Sequence, residues 1–425
     1  MKAPIKTLGF SVVLIFSLLT ISTSASAIKF SKVVFFGDSL SDMGNNQSGF
    51  SDQAPDTNKV PDGNGGYISG EVWAVAFVRN LQNDGLLEST STGDIKPSIY
   101  YDENIEIKPN DSVDYAYSGD PSNGYPLGGH GGHVIQYHKV MQGNDGCVDA
   151  INESGTNALC GVRNRVRNFT NTKTVDPNAL YVIWAGSNDI EQNLGAGLAK
   201  EVADGDIIDP NASNSVAELT VLQATNSIIA SILELSKHHA KYFMVINLPN
   251  IGYTPQGYYL NNLYAQIHAN DPSQKNVINE LFTVLTNGFN DQLKKTLDAT
   301  HFPNPVVIYQ PDINGLFKMA RNGEIKPFAS GMFNKDPVYA WTTICCTNKV
   351  DAAGDVPPDY NPKECVPQDG AAMLCLPSSP QTGNYLFYNA IHPTTCVHKY
   401  LAKYFESYLP GGKAFNPNEN LCLAG

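Results

Sequence analysis

The sequence predicts an α/β fold built on a sheet of mostly parallel strands, with helices on both faces. Three observations predict it. Short apolar runs of strand length recur along the chain, and two of them stop at a glycine. Stretches with helical spacing of apolar residues lie between those runs. Strands alternating with helices need crossover connections, which pair the strands in parallel and cover both sheet faces.

The elements follow in order. Lys32-Val33-Val34-Phe35-Phe36 is an apolar run ended by Gly37, the pattern of a strand buried on both sides. From Glu71 to Leu81, Val72, Val75, Ala76 and Val78 fall at helical spacing. Leu180-Tyr181-Val182-Ile183-Trp184 is a second buried strand, stopped by Gly186. Val216 to Leu235 reads as a long amphipathic helix, Tyr242 to Ile246 as a third strand and Asn276 to Leu297 as another helix. Val306 to Tyr309 is a fourth strand, and Thr394 to Tyr408 closes the chain as a helix. Long stretches without clear period occupy 43–69, 85–112, 121–178 and 321–388, rich in Gly, Asn, Asp, Pro and Tyr. Loops of that size are uncommon unless they carry function.

Residues 1–27 read as an export signal. Lys2 and Lys6 precede an apolar stretch from Leu8 to Leu19, and Ala25-Ser26-Ala27 has the small-x-small pattern of a cleavage site. The remaining residues, 28–425, are expected to form a single domain with insertions at about 121–178 and 321–388. No later segment is apolar for long enough to form a transmembrane helix. The net charge is −13, and loss of the two leader lysines takes it to −15. So acidic a chain is a poor partner for nucleic acid or for an anionic lipid surface.

All eight cysteines follow the leader. An even count in an exported chain reads as disulfides, and the absence of any C-x-x-C pair weakens a metal reading. Cys147 and Cys160 are expected to pair, because they close a short loop far from the rest. The six others allow about 15 pairings.

Four short motifs carry chemistry. Gly37-Asp38-Ser39-Leu40-Ser41-Asp42 follows the first strand. A serine in a strand-to-helix turn exposes its hydroxyl at the sheet edge, beside backbone N–H groups that can stabilise an oxyanion. Asp114-Tyr115-Ala116-Tyr117-Ser118-Gly119-Asp120 contains a glycine whose N–H can face a reacting carbonyl unobstructed. Trp184-Ala185-Gly186-Ser187-Asn188-Asp189 offers the Asn188 amide as a further donor. Asn389-Ala390-Ile391-His392-Pro393 supplies a histidine base just before the last helix, with Pro393 expected in that helix's first turn. Taken singly these are an N-cap, a turn glycine, an Asx turn and a lone histidine.

Together the four motifs, in this order, resemble the GDSL or SGNH hydrolase superfamily from residue 32 to 408. Within it the chain looks most like bacterial secreted phospholipases and glycerophospholipid:cholesterol acyltransferases. The resemblance implies a three-layer α/β/α sheet of flavodoxin type, action on lipid esters, and neither metal nor other cofactor. It assigns Ser39 as nucleophile, His392 as general base, and the Ser39 N–H, Gly119 N–H and Asn188 amide as oxyanion hole. Phospholipid is the implied acyl donor, with water or a sterol as acceptor. Related acyltransferases are activated by cutting a disulfide-bounded loop. The Cys147–Cys160 loop is therefore either a lid opened by a protease or a simple staple. Tyrosines in the loops, among them Tyr125, Tyr253, Tyr258, Tyr259 and Tyr385, either line an acceptor site or cover the surface.

The chain departs from the family pattern at Asn389, where the family has an aspartate three residues before the histidine. An asparagine can orient an imidazole but brings no negative charge to its imidazolium. Besides a lipolytic esterase, two further readings follow: a carbohydrate acetylesterase of the same fold, and a catalytically impaired lipid- or glycan-binding protein.

Overall fold

The computed structural model describes residues 28–43, 45, 59–61, 67–69, 72–98, 106–116, 161–190, 215–325, 392–393 and 395–421. In chain order the elements are β1 (Val33–Gly37), β2 (Lys59–Pro61), β3 (Tyr67–Ser69), α1 (Trp73–Asn83), β4 (Ile95–Pro97) and β5 (Ser112–Asp114). Then come α2 (Gly161–Thr172), β6 (Leu180–Trp184), α3 (Ser215–Lys237), β7 (Tyr242–Val245) and α4 (Pro255–Ile267). The last are α5 (Val277–Ala299), β8 (Val307–Tyr309), α6 (Ile313–Arg321) and α7 (Thr395–Glu406).

Six strands form one sheet in the order β4-β5-β1-β6-β7-β8, and every neighbouring pair is parallel. β2 and β3 form a separate antiparallel pair. The chain starts in the middle of the sheet, builds β4 and β5 on one side of β1, then crosses to β6 on the other. That reversal opens a crevice beyond the carboxyl ends of the strands beside β1.

Consecutive strand residues point to opposite faces, so β1 shows both layers at once. Phe35 meets the rings of Trp73 and Phe77 of α1 edge-on, at 5.4 and 6.4 Å. Phe36 points the other way, stacked on Tyr115 at 5.4 Å and edge-on to Phe169 of α2 at 5.6 Å. α1 packs against α7, and α3 packs against both α2 and α5. The result is the layered α/β/α arrangement expected from the alternation of strands and helices.

Several elements escaped the periodicity. α2 lies in the stretch 121–178 that reads as aperiodic. Its buried apolar side chains Val162, Val166 and Phe169 keep a helical spacing, but Arg163, Asn164, Arg165, Arg167 and Asn168 surround them and mask it. β4 lies within 85–112 and is three residues long, ending in Pro97, which a sheet tolerates at an edge strand. Tyr258 and Tyr259 belong to α4 rather than to a loop. That helix starts because Thr254 accepts a bond from the Gly257 N–H at 3.2 Å and Pro255 follows at the first helical position. Among the described residues no helix is long and apolar enough to cross a membrane.

Candidate active site

The first segment of the site is the turn after β1. Register pairs Gly37 with Trp184, so β1 and β6 end side by side and the segments after them leave the same edge of the sheet. A Cβ on Gly37 would stand 2.6 Å from the Trp184 carbonyl oxygen, so only glycine allows this close approach. Past Gly37 the chain folds at once into a turn. The N–H groups of Ser41 and Asp42 donate to the Asp38 carbonyl at 3.0 and 3.1 Å, and the Leu40 N–H donates to Asp38 Oδ1 at 3.1 Å. Ser39 is carried within that turn.

The turn is fastened to the end of β5. Met43 N–H donates to Asp114 Oδ2 at 2.9 Å, and the Asn45 amide nitrogen donates to the carbonyls of Asp114 and Ala116, both at 2.8 Å. Asp114 Oδ1 accepts the Ala116 N–H at 2.8 Å. Burial, then the charge of Asp42, push the Asp114 carboxyl well above its usual range, while those backbone bonds oppose the shift.

The second segment follows β6. Gly186 has φ 122°, and a Cβ there would stand 2.5 Å from the Phe289 ring. A glycine is required on both counts. Residues 187–190 then take a helical turn, closed by the Ile190 N–H on the Gly186 carbonyl at 3.2 Å. Asn188 sits in that turn and lines the cleft beside Ser39.

The third segment brings His392 in from a position 353 residues further along the chain, and its Nε2 lies 2.7 Å from Ser39 Oγ. A residue before proline is held away from helical backbone, so Pro393 separates His392 from the helix. α7 starts at Thr395, so Pro393 precedes the first turn instead of entering it as the sequence suggests. His392 is 4 % exposed, and burial pushes its pKa down to about 4. Near neutral pH the ring is uncharged. With its proton on Nδ1, Nε2 accepts the serine hydroxyl hydrogen, which is the arrangement that transfers a proton away from an attacking oxygen.

Ser39, Asn188 and His392 face one cleft. Its other walls are mostly apolar: Leu40, Trp184, Pro249, Ile251, Phe317 and Pro393. Gly119, Asn389, Cys147 and Cys160 lie outside the described residues. Tyr253 and Tyr258 line a different, open groove, where the Arg321 guanidinium lies over the Tyr253 ring at 3.5 Å.

A second buried histidine, His398 of α7, escaped the sequence reading. Burial and the neighbouring His392 push its pKa down to about 3. In the unfolded chain both imidazoles titrate near 6.5. As pH falls from 6.5 towards 4, the unfolded state takes up protons that the folded state refuses. Stability therefore falls with pH across that window, each histidine contributing up to about 1.4 kcal/mol per pH unit. Denaturant unfolding of the protein and of His392→Ala between pH 4.5 and 7 measures this. The variant's stability is expected to depend less steeply on pH, and parallel curves would contradict the burial of a neutral His392.

Sequence reasoning also passed over Trp73, Ser41 and Asn45. Asn45 was detectable as a polar residue just beyond the Ser39 turn, but its partners lie at the end of β5 and just past it, some 70 positions away. No curated protein sequence matches the chain. Residues 33–405, from the start of β1 to the penultimate residue of α7, match the GDSL-like Lipase/Acylhydrolase family, and the chain belongs to that family of lipolytic ester hydrolases.

Proposed function

We propose that the chain is an exported serine esterase that moves an acyl group from glycerophospholipid to water, or to a sterol hydroxyl, through an acyl-enzyme. The observation that carries the reading is the 2.7 Å contact between His392 Nε2 and Ser39 Oγ in a cleft with apolar walls.

Ser39 Oγ attacks the ester carbonyl carbon as its proton passes to His392 Nε2. The oxyanion is stabilised by the Ser39 N–H, the Asn188 amide and, by family resemblance, the Gly119 N–H. When the tetrahedral intermediate collapses, the imidazolium returns its proton to the departing alcohol oxygen. Water or a sterol hydroxyl then attacks the acyl-enzyme, giving its proton to His392, and Ser39 recovers a proton as the product leaves. Leu40, Ile251 and Phe317 give an acyl chain apolar contacts in the same cleft, which favours lipid over acetyl substrates.

Labelling with a fluorophosphonate tests the chemistry, and a chain-length series of nitrophenyl esters tests the cleft. The protein is expected to label at Ser39 and to prefer medium or long acyl chains. No labelling of the protein would refute the nucleophile, and a sharp preference for acetate would favour the carbohydrate acetylesterase reading.

A further inference from the structure

Ser39 and His392 come from segments that are not neighbours in the sheet, yet their reacting atoms must stay within a few tenths of an ångström of bonding distance. One residue touches the supports of both. Trp73 opens α1, and its ring is fully buried against Phe35 of β1, Trp184 of β6 and Phe405 of α7 at 5.4, 5.8 and 4.8 Å. Those three elements precede Ser39, precede Asn188 and follow His392, respectively.

Packing alone does not fix direction, but two hydrogen bonds do. The Trp73 indole N–H donates to Ser41 Oγ at 3.2 Å. Ser41 lies two residues past Ser39, and its hydroxyl fills the space left open at Gly37, where a Cβ would stand 3.3 Å from it. The Trp73 backbone N–H donates to His398 Nδ1 at 3.1 Å. His398 lies six residues past His392, one turn into α7. Val72, at the N-cap of α1, makes no side-chain capping bond, so the His398 ring satisfies one of the amides that a helix start leaves without an intrahelical acceptor. The ring can accept there only while Nδ1 is unprotonated, and the positive end of α1 helps to keep it so.

We infer that Trp73 and His398 are positioning residues: through Ser41 on one side and α7 on the other, they hold the nucleophile turn and the His392 segment in a single frame. The inference rests on the esterase reading for its kinetic consequences but not for its geometry.

Three variants test it, with kinetics normalised to sites titrated by fluorophosphonate. Trp73→Phe keeps the ring packing and removes the indole donor. His398→Leu removes the acceptor, and His398→Gln restores one. Trp73→Phe and His398→Leu are expected to lower kcat per titrated site by about 10- to 100-fold with KM within twofold, and His398→Gln to recover most of the loss. Trp73→Phe should have little further effect in a Ser41→Ala background, since its donor would already lack a partner. A residue that only supports the fold would lower the melting temperature and leave kcat per titrated site unchanged, and that result overturns the inference. Crystal structures of Trp73→Phe and of the unmodified protein give a readout independent of activity. The Ser39 Oγ to His392 Nε2 distance should lengthen beyond bonding reach in the variant. If the unmodified protein never labels, the esterase reading fails while the distance comparison still decides the positioning role. If the variant keeps the 2.7 Å contact, the positioning role fails whatever the activity.

Discussion

Ser39→Ala is expected to lower turnover of an aryl ester by on the order of 10²-fold in this chain, and by on the order of 10⁶-fold once Asn389 is replaced by aspartate. The two figures differ because a nucleophile, its base and the group that orients the base act as a unit. In a serine protease, removing the serine or the histidine alone costs about as much as removing all three, on the order of 10⁶, and removing the aspartate alone costs on the order of 10⁴. With asparagine at the position of the family's aspartate, this chain is expected to have only the remaining factor to lose. His392→Ala should match Ser39→Ala, and the double variant should be no slower than either single one. Stopped-assay kinetics on purified proteins, with fluorophosphonate labelling as a control for the serine, measure all of these. Two single variants whose losses multiply in the double would mean that Ser39 and His392 do not share a step, despite the 2.7 Å between them.

Much of this site was legible in the sequence because its parts begin where strong local signals end. β1 and β6 are five-residue strands buried at every position, and each leads to a glycine that the backbone needs: β1 ends on Gly37, which allows the approach to Trp184, and Gly186 stands two residues past β6 with a positive φ. Runs and glycines are local properties, so Ser39 and Asn188 could be placed at a sheet edge from composition and spacing. The amphipathic α7 placed His392 just before the last helix and the family resemblance gave it a role, whereas Pro393, expected in that helix's first turn, precedes it. The frame behind these residues was not. Trp73 reads as one apolar residue on a helical face, and nothing local says that its indole reaches Ser41 or that its amide meets a ring 325 positions away. α2 and β4 were missed for a simpler reason. Polar residues crowd Val162, Val166 and Phe169 of α2, and β4 is too short to show an alternation. Long-range hydrogen bonds and brief elements depend on tertiary partners, and period analysis carries no signal for them.

Replacing Asn389 with aspartate should raise turnover by up to about 10⁴-fold, the factor lost when a serine protease exchanges its aspartate for asparagine. The present state of His392 explains why there is room for such a gain. Burial depresses its pKa to about 4, so the ring is neutral and able to accept, but it is a weak base. A carboxylate beside Nδ1 favours the charged ring, raising a neighbouring pKa by roughly 1–3 units. The same contact fixes the tautomer that leaves Nε2 free to accept. Two readouts must therefore move together. The rate at neutral pH rises, and the acid limb of the pH–rate profile moves up from near pH 4 towards the range of an ordinary histidine. The protein's stability moves as well. A raised His392 pKa narrows the window below 6.5 in which the folded state refuses protons, so Asn389→Asp should unfold less readily than the parent near pH 5. A rate gain without a shifted acid limb would mean that the new carboxylate acts on substrate rather than on His392. No gain, with an unshifted limb, would mean that another group already orients the imidazole and that position 389 lies outside the catalytic unit.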